Sequence, residues 1–325
     1  MIATRALAAF CVLALLAVLP AEAKDRTQSI TIRAGKADSP NHALARQFAE
    51  AIAVAVNGAF TLDVQESQGS IENVMEAPKR RGDYIFTTSP NVIAQARRGE
   101  KPFKPDRRYG EIRALFPIPA LTVQWVVRQD SDIKSLADLA GHSFIPGPRG
   151  SISERLTTAA LQTLGIERRV QLIDVDVPAA PAALKGNQVS GLALSGSYPV
   201  PTLVDLARAI PIRLISLPSA NIAKVIAGDD STAAEVIPKG TYPGIDADVT
   251  TLSVPAGAYT TTRMPQATAY AITKAFWSQH AALVQHNPPW QAVTAAALPT
   301  LRVRLHPGAL RYYDEAGIKV PKSLR

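Results

Sequence analysis

Cysteine is almost absent from this chain of 325 residues, in which Cys11 is the single instance. A lone thiol cannot form an intramolecular disulfide or supply a cysteine metal site. The five histidines show neither H-x-x-x-H nor H-E-x-x-H spacing. These shortages exclude a disulfide scaffold and the common zinc motifs, so the burial of apolar side chains must hold the fold together.

Catalytic motifs are missing as well. Ser195 in ALSGS lacks the first glycine of a nucleophile elbow, and the chain has neither a phosphate-binding P-loop nor a G-x-G-x-x-G segment. The carboxylates are spread out, without a pair that could serve as acid and base. We therefore predict no catalytic residue, no bound metal and no cofactor; an enzyme on the same fold is the least supported alternative.

Aromatic residues make up 6% of the chain, and they do not interleave with its basic runs. Despite the net charge of +8, Lys and Arg are scattered, which is typical of solvated faces rather than of a nucleic-acid interface. We expect a monomer that binds no nucleic acid. A positive field that attracts small anions is compatible with this charge.

The N-terminus has the features of a secretory signal peptide. Arg5 precedes the apolar stretch Ala6–Leu19, and Ala21–Ala23 forms an A-x-A cleavage site. The apolar stretch is too short to span a bilayer, and no later segment approaches about 18 consecutive apolar residues. We predict that residues 1–23 are removed and that the protein is exported to the periplasm; an uncleaved anchor is the alternative.

Strand-like and helix-like patterns alternate along the rest of the chain, which predicts an α/β fold with largely parallel sheets. We predict strands at Ser29–Ala34, Phe60–Gln65, Asp83–Thr88, Leu121–Arg128, 142–146, Val170–Val175, Val189–Leu194, Pro211–Leu217 and Thr251–Pro255. We predict helices after Ser39, Ser70, Ser89, Ser135, Ser151 and Ser197, and at Pro178–Lys185, Pro265–His286 and Pro307–Ala316.

Small polar residues recur where a predicted strand passes into a helix. In open α/β sheets, ligands bind beyond the carboxyl ends of the strands, so these corners are candidates for a binding cleft. Each serine taken alone is better explained as a helix cap, and it is their recurrence at several corners that favours a cleft. The residues concerned are Ser39, Ser70, Ser89, Ser151 with Ser153, and Ser197.

The stretch FIPGPRGSISE at 144–154 leaves two interpretations open. Ser151 and Glu154 have the spacing of a capping box, in which the serine satisfies the amides of its own helix. A helix N-terminus also attracts anions through free amides and the helix dipole. The loop could therefore bind a carboxylate or another anion.

Several segments resemble the TAXI family, the solute receptors of tripartite ATP-independent periplasmic (TRAP) transporters. The resemblance covers nearly the whole chain after residue 23. It is carried by GSIEN (69–73), RQDSDIKSLADLAGHSF (128–144), PGPRGSISE (146–154), GSYPVPTLVDLA (196–207), IPKGTYPGIDADV (237–249) and LHPGALRYYDEAGI (305–318).

This resemblance implies a bilobed periplasmic-binding-protein fold of the two-hinge class (type II). The lobes would comprise residues 24–120 with 250–325 and residues 121–249, joined by crossing hinge strands. It further implies a receptor that captures a small anionic or zwitterionic solute, such as glutamate or a related carboxylate, and delivers it to a TRAP-type permease. A sensory receptor that reports to a signalling partner is the alternative.

The resemblance also implies positions for ligand contacts, which are Ser70, Asn73, Thr88, Ser89, Ser151 and Ser153, with Ser197 and Tyr198 as additions. The first loop, 35–42, departs from the family pattern. Two expected glycines are Lys36 and Asp38 here, and an expected tyrosine pair is Asn41-His42. Either the loop has drifted while the ligand is unchanged, or the specificity differs.

Lys36 and Arg149 stand where the family usually has small residues. We expect at least one of them to face the cleft and pair with an anionic group, which would favour a ligand more negative than glutamate. The alternative is that both side chains lie in water at the rim of the cleft.

The leader interpretation predicts that the exported protein begins at Lys24. N-terminal sequencing of the protein purified from the periplasm should return KDRTQ. Retention of Met1 in that fraction would contradict the cleavage site.

Overall fold

The computed structural model describes residues 28–37, 39–174 and 179–325. The predicted signal peptide and Asp38 lie outside these ranges. The described part contains the strands β1 (Gln28–Arg33), β2 (Phe60–Gln65), β3 (Tyr84–Thr88), β4 (Ile112–Arg128), β5 (Ser143–Ile145), β6 (Gln171–Leu172), β7 (Gly191–Gly196), β8 (Ile212–Leu214), β9 (Ala233–Ile237) and β10 (Val249–Thr261).

The helices alternate with these strands, as predicted for an α/β fold. They are α1 (Pro40–Val56), α2 (Ser70–Glu76), α3 (Pro90–Arg98), α4 (Ile152–Thr163), α5 (Ala180–Lys185), α6 (Pro201–Ala209), α7 (Ser219–Gly228), α8 (Gln266–His286) and α9 (Pro307–Glu315). Short 3-10 helices lie at Ala77–Lys79, Arg107–Glu111, Leu136–Leu139, Glu167–Arg169, Pro288–Ala292, Ala295–Leu301 and Lys322–Leu324.

One twisted sheet runs through the molecule in the order β2-β1-β3-β10-β4-β7-β5-β6, with β8 attached to β4 and β9 to β10. The pairs β1–β2, β1–β3, β5–β6 and β5–β7 are parallel. The pairs made by the central strands β4 and β10 are antiparallel. The prediction of largely parallel sheets therefore holds for the two flanks and is wrong for the centre.

The two central strands are longer than the sequence predicted. β4 begins at Ile112 rather than Leu121, because Pro117 and Pro119 interrupt the strand pattern where the chain still follows an extended path. β10 likewise extends on both sides of the predicted Thr251–Pro255. Helix α7 and strand β9 were not predicted, and the segment after Ser135 forms a 3-10 turn rather than an α-helix.

The helix starts follow local chemistry. Ser39, Ser89 and Ser151 each have extended backbone geometry and accept a hydrogen bond from an amide in the first turn of α1, α3 or α4. A proline occupies the first turn of α1 and of α3, where its missing N–H removes no helical hydrogen bond. These capping signals explain why the starts of α1, α3 and α4 were predicted correctly.

Apolar side chains gather into separate clusters along the sheet. One cluster draws its buried residues from 30–118 and 258–324, and two further clusters draw theirs from 123–254. In the first, Phe116 stacks on Phe276 with ring centroids 3.9 Å apart. Phe48 packs edge-on against Phe116, and Trp290 packs edge-on against Phe48. We refer to the body around the first cluster as lobe 1 and to the body around the other two as lobe 2.

Within the described ranges, no helix is both long and apolar enough to cross a bilayer. His306 is one of the few ionisable side chains in the interior, with an exposed fraction of 1%. It caps α9, since its Nδ1 accepts a hydrogen bond of 3.1 Å from Gly308 N. Burial lowers the pKa of His306 to about 4.

This shift predicts a loss of stability in acid. The folded state keeps His306 neutral, so its contribution is complete above the ordinary pKa of 6.5 and is lost as the pH falls towards 4. The difference amounts to at most roughly 3 kcal/mol in the free energy of unfolding. Urea unfolding across this range should show a steeper decline in the parent than in His306→Asn, whose side chain can still cap the helix.

His286→Asn is the matched control, because His286 is exposed at the end of α8. That variant should follow the parent at every pH. A His306→Asn protein that loses stability in acid as fast as the parent would contradict the assignment.

Candidate functional site

The strand ends of the two lobes meet at the central pair of strands. β3 ends at Thr88, opposite Gly257 of β10, and Gly257 in turn lies opposite Pro117 of β4. β7 ends at Gly196, opposite Thr122 of β4. Only the stretch from Pro117 to Thr122 separates the two ends along β4, so the loops that follow β3 and β7 approach the same place from opposite lobes.

We call the stretch from Pro117 to Thr122 the crossing segment. It is bound less tightly to β10 than the rest of β4 is. Pro117, Pro119 and Pro255 offer no N–H to the ladder, and the register shifts between Val254 and Ala256. Fewer inter-strand hydrogen bonds make this part easier to bend. The crossing segment is thus the structural candidate for a hinge, and the corners around it form the candidate cleft.

In the first corner of lobe 1, the Ser39 hydroxyl forms its hydrogen bonds within its own loop. Ser39 Oγ accepts a hydrogen bond of 3.3 Å from His42 N and donates one of 2.7 Å to Lys36 O. The hydroxyl is therefore used by its own loop and serves as a helix cap. The Lys36 side chain is exposed.

The second and third corners, at Ser70 and Ser89, have hydroxyl groups whose hydrogen-bonding capacity the protein does not fully use. Ser70 begins α2 half-buried, and its hydroxyl makes no hydrogen bond to any residue in the described ranges. Ser89 Oγ accepts a long bond of 3.4 Å from Asn91 N and keeps its own proton available. Thr88 is 2% exposed and donates to Ser89 O at 3.3 Å. Ser70 and Ser89 are the hydroxyls of lobe 1 best placed to donate to a bound solute.

Asn73 lies beneath these corners rather than in them. Its side chain is fully buried, and its Nδ2 donates to Ala34 O at 3.2 Å and to Thr87 O at 3.0 Å. Its own carbonyl accepts a hydrogen bond of 3.0 Å from the Tyr84 hydroxyl. In this structure the Asn73 side chain ties the ends of β1 and β3 together through its Nδ2, while its Oδ1 has no partner among the described residues. Whether it also contacts a solute stays a prediction.

In lobe 2, the loop before α4 contains the helix cap that its sequence predicts. Ser151 Oγ accepts a hydrogen bond of 3.1 Å from Glu154 N, which confirms the cap, and it lies 2.9 Å from Ser153 Oγ. The Glu154 carboxylate accepts from Gly150 N, one residue earlier than in a capping box. Ser151 is half-buried and Ser153 is 2% exposed, so of the two serines Ser151 is the more accessible.

Glycine at position 147 is required by this arrangement. Its φ is +107°, and a Cβ there would lie 2.1 Å from Ser153 Oγ. The close approach packs the loop against the two serines. The loop is thereby preorganised before any ligand arrives.

The last corner is fastened to neighbouring strands. Ser197 Oγ donates to Ala120 O at 3.0 Å, on the crossing segment. Tyr198 is 4% exposed and its hydroxyl donates to Val236 O of β9 at 3.2 Å. Burial raises the pKa of the Tyr198 phenol, so the group stays neutral at any ordinary pH. Both side chains hold the loop in place through these hydrogen bonds.

Arg149 projects into solvent, with 85% of its side chain exposed and its Nη2 3.5 Å from Asp174 Oδ2. Lys36 is exposed as well. Both basic side chains therefore lie in water in this structure, which agrees with the alternative that they stand at the rim of the cleft. Such exposed pairs add little to stability. Whether either contacts a bound solute stays a prediction.

Sequence reasoning missed a polar network beside the last corner. The Tyr242 hydroxyl donates to Gln124 Oε1 and accepts from Val200 N at 2.8 Å. Gln124 Nε2 and Thr122 Oγ1 are buried without a partner among the described residues. Tyr242 stands in the TAXI-like segment 237–249, which was the one signal that could have drawn attention to it.

The arrangement does not favour catalysis. One Ser–His contact is seen in the described part, between His142 Nδ1 and Ser190 Oγ at 3.3 Å; it is exposed and away from the corners. No three His, Asp or Glu side chains of the described residues converge as metal ligands. What the corners can do is donate and accept hydrogen bonds around a small polar solute.

Comparison with known proteins is consistent with this geometry. Residues 34–317 match the model of the NMT1-like family. The fold is similar to that of a TctC solute binding protein from Polaromonas, with 14% identity and a TM-score of 0.50 over 83% of this chain and 88% of that one. It is also similar to MatC from Rhodopseudomonas palustris with bound malate, with 11% identity and a TM-score of 0.50 over 89% and 96%. The bilobed α/β fold predicted from the sequence is confirmed.

The position of Asn73 predicts a structural defect on substitution. Asn73→Ala should lower the free energy of unfolding by about 2–3 kcal/mol, because two buried carbonyls lose their donor. Urea denaturation measures this effect. Asn221→Ala on α7, a half-buried asparagine that makes no side-chain hydrogen bond to the described residues, should change stability by less than about 0.5 kcal/mol. Equal losses in the two variants would contradict the tie between β1 and β3.

Proposed function

This chain belongs to the NMT1-like family, and on that basis we propose that it is an extracytoplasmic solute-binding receptor of a membrane transport system. The observation that carries the proposal is the convergence of strand ends from two lobes on one proline-interrupted crossing segment. A binding protein needs such a cleft, because closing two lobes over a solute removes it from water and adds contacts from both sides. The receptor itself catalyses nothing.

The lobe boundaries that we propose are 24–120 with 250–325 for lobe 1 and 121–249 for lobe 2. They are supported by the hydrophobic clusters, which divide at residues 118–123 and 254–258. The boundaries place the hinge at the crossing segment. Rotation there would change the separation of the lobe 1 and lobe 2 corners.

For the ligand we propose a small anionic or zwitterionic solute, such as a carboxylate or an amino acid. The half-buried hydroxyls of Ser70, Ser89 and Ser151 stand at helix starts, where backbone amides and the helix dipole favour a negative group. The bound malate of MatC is a carboxylate in a protein of similar fold. An anion held by neutral donors also avoids the cost of desolvating a second charge.

For the partner we propose a TRAP-type permease in the inner membrane, with the receptor itself located in the periplasm. The TAXI resemblance supports this assignment, and the predicted signal peptide agrees with it. A sensory role in which the receptor reports to a signalling protein is the alternative. Transport assays in a strain that lacks the receptor separate the two, since a purely sensory receptor leaves uptake intact.

A thermal-shift screen tests the proposed function directly. The panel should include mono-, di- and tricarboxylates, amino acids and uncharged sugars of similar size. A ligand at about 100 times its Kd stabilises the folded state by about 2.7 kcal/mol, which is readily measured. Stabilisation by a sugar but by no anion or amino acid would overturn the ligand class.

Ser151 provides a sharper test, because the two interpretations of its loop predict different outcomes. Ser151→Ala should cost about 1 kcal/mol of stability as a lost cap. If the hydroxyl also donates to the ligand, affinity should fall at least tenfold in calorimetry, as expected for a hydrogen bond to a charged group.

Ser135→Ala is the matched control, since Ser135 caps a 3-10 helix of lobe 2 away from the corners. It should lose stability without losing affinity. If Ser151→Ala behaves in the same way, the serine is a cap alone.

A further inference from the structure

Two buried polar side chains lie beside the last corner of lobe 2, the loop that follows β7. Thr122 and Gln124 are two residues apart on β4, so their side chains stand on the same face of the sheet. They are 0% and 1% exposed, and Thr122 Oγ1 and Gln124 Nε2 have no hydrogen-bond partner among the described residues. Because buried polar atoms are almost always paired, these two donors call for an acceptor.

The hydrogen bonds of Tyr242 fix which end of the Gln124 amide is unused. The Tyr242 hydroxyl donates to Gln124 Oε1 and accepts a hydrogen bond from Val200 N. The amide oxygen is therefore occupied, and the group that is left is an NH2, which donates and does not accept. Val200 is the residue that precedes α6, so the amide lies close to the start of that helix.

Gly196 leaves space next to Thr122. It is the last residue of β7 and lies directly opposite Thr122, on the same face of the sheet. Gly196 is half-buried, and a Cβ at this position would meet only one atom of the described residues within 4 Å, Val200 Cγ2 at 3.0 Å. A glycine in a strand often marks a place where a ligand approaches the backbone closely.

The start of α6 makes this place favourable for a negative group. The helix has nine residues and begins at Pro201, and within the described ranges no side chain caps it. Its N-terminal end contributes a partial positive charge at the corner. An amide NH2, a hydroxyl and a helix N-terminus together suit an acceptor oxygen, and a carboxylate oxygen accepts the strongest hydrogen bonds.

We propose that Thr122, Gln124 and Gly196 form the lobe 2 floor of the solute site. A carboxylate oxygen of the solute lies over Gly196 and accepts hydrogen bonds from Thr122 Oγ1 and Gln124 Nε2. Both donor atoms are covered in this structure, so we place the contact in a state in which the Val200 side chain, which stands over Gly196, has turned aside. The inference rests on the proposed function, and it adds three residues that the sequence did not predict.

Urea unfolding without ligand tests whether the Thr122 hydroxyl is unpaired. Thr122→Val removes the hydroxyl and keeps the shape of the side chain. A buried hydroxyl without a partner destabilises the free protein, so the variant should unfold at the same urea concentration as the parent or at a higher one.

Thr251→Val is the matched control. Thr251 is fully buried on β10, and its hydroxyl donates to Val123 O at 2.7 Å. This variant should unfold at a lower urea concentration than the parent, because a buried hydrogen bond is lost. If Thr122→Val loses as much stability as Thr251→Val, the Thr122 hydroxyl has a partner in the free protein and the proposal is overturned.

Calorimetry with L-malate, L-glutamate and citrate tests the contact itself. Thr122→Val should weaken the binding of a carboxylate about tenfold or more, as expected for a hydrogen bond to a charged group. Gly196→Ala should weaken it as well, because the methyl group occupies the space of the solute; the φ of Gly196 is not positive, so the backbone accepts alanine.

Gly228→Ala, at the exposed end of α7, is the control for the added methyl group. Its Cβ would meet no described atom within 4 Å, and it should bind as the parent does. Parent-like affinity in both Thr122→Val and Gly196→Ala would overturn the proposal. A parent that binds none of the three probes would contradict the proposed ligand class, and the urea comparison would still decide whether Thr122 keeps an unpaired hydroxyl.

Discussion

The antiparallel pairing of β4 with β10 is the constraint on which the rest of this structure depends. β3 and β9 join the free edge of β10, while β7 and β8 join β4, so both flanks of the sheet are anchored to these two strands. The same pair carries the prolines and the register shift of the crossing segment. One pair of strands therefore holds the lobes together and carries the segment that we propose as the hinge.

At each corner, a serine hydroxyl can cap the helix or bind a solute, and bonds made for the first use reduce what is left for the second. Ser39 donates and accepts within its own loop, which leaves its hydroxyl no proton to donate to a solute. Ser89 accepts but does not donate, and Ser70 does neither within the described part of the chain. Residues that look equivalent in the sequence thus differ in what they can offer, because the hydrogen bonds of each loop are decided by its neighbours.

Buried polar groups around the hinge are mostly paired with backbone atoms. Asn73, Tyr198 and Tyr242 each join segments that are far apart in the sequence, and their removal would leave main-chain groups unsatisfied. Three side-chain atoms in this region are exceptions, because they are buried without a partner among the described residues: Asn73 Oδ1, Thr122 Oγ1 and Gln124 Nε2.

The sequence by itself determined the α/β class, the capped helix starts and the bilobed architecture, since these follow from local periodicity, capping chemistry and family-like motifs. It also located the corner serines, because a serine that caps a helix interacts with residues close to it in the sequence. It did not determine the full length of β4, where Pro117 and Pro119 obscure a strand that tertiary pairing imposes. Nor did it separate Asn73, whose buried side chain joins two strands, from Ser70, whose half-buried hydroxyl makes no hydrogen bond within the described ranges. Those distinctions depend on contacts between residues distant in the chain, which only the tertiary structure decides.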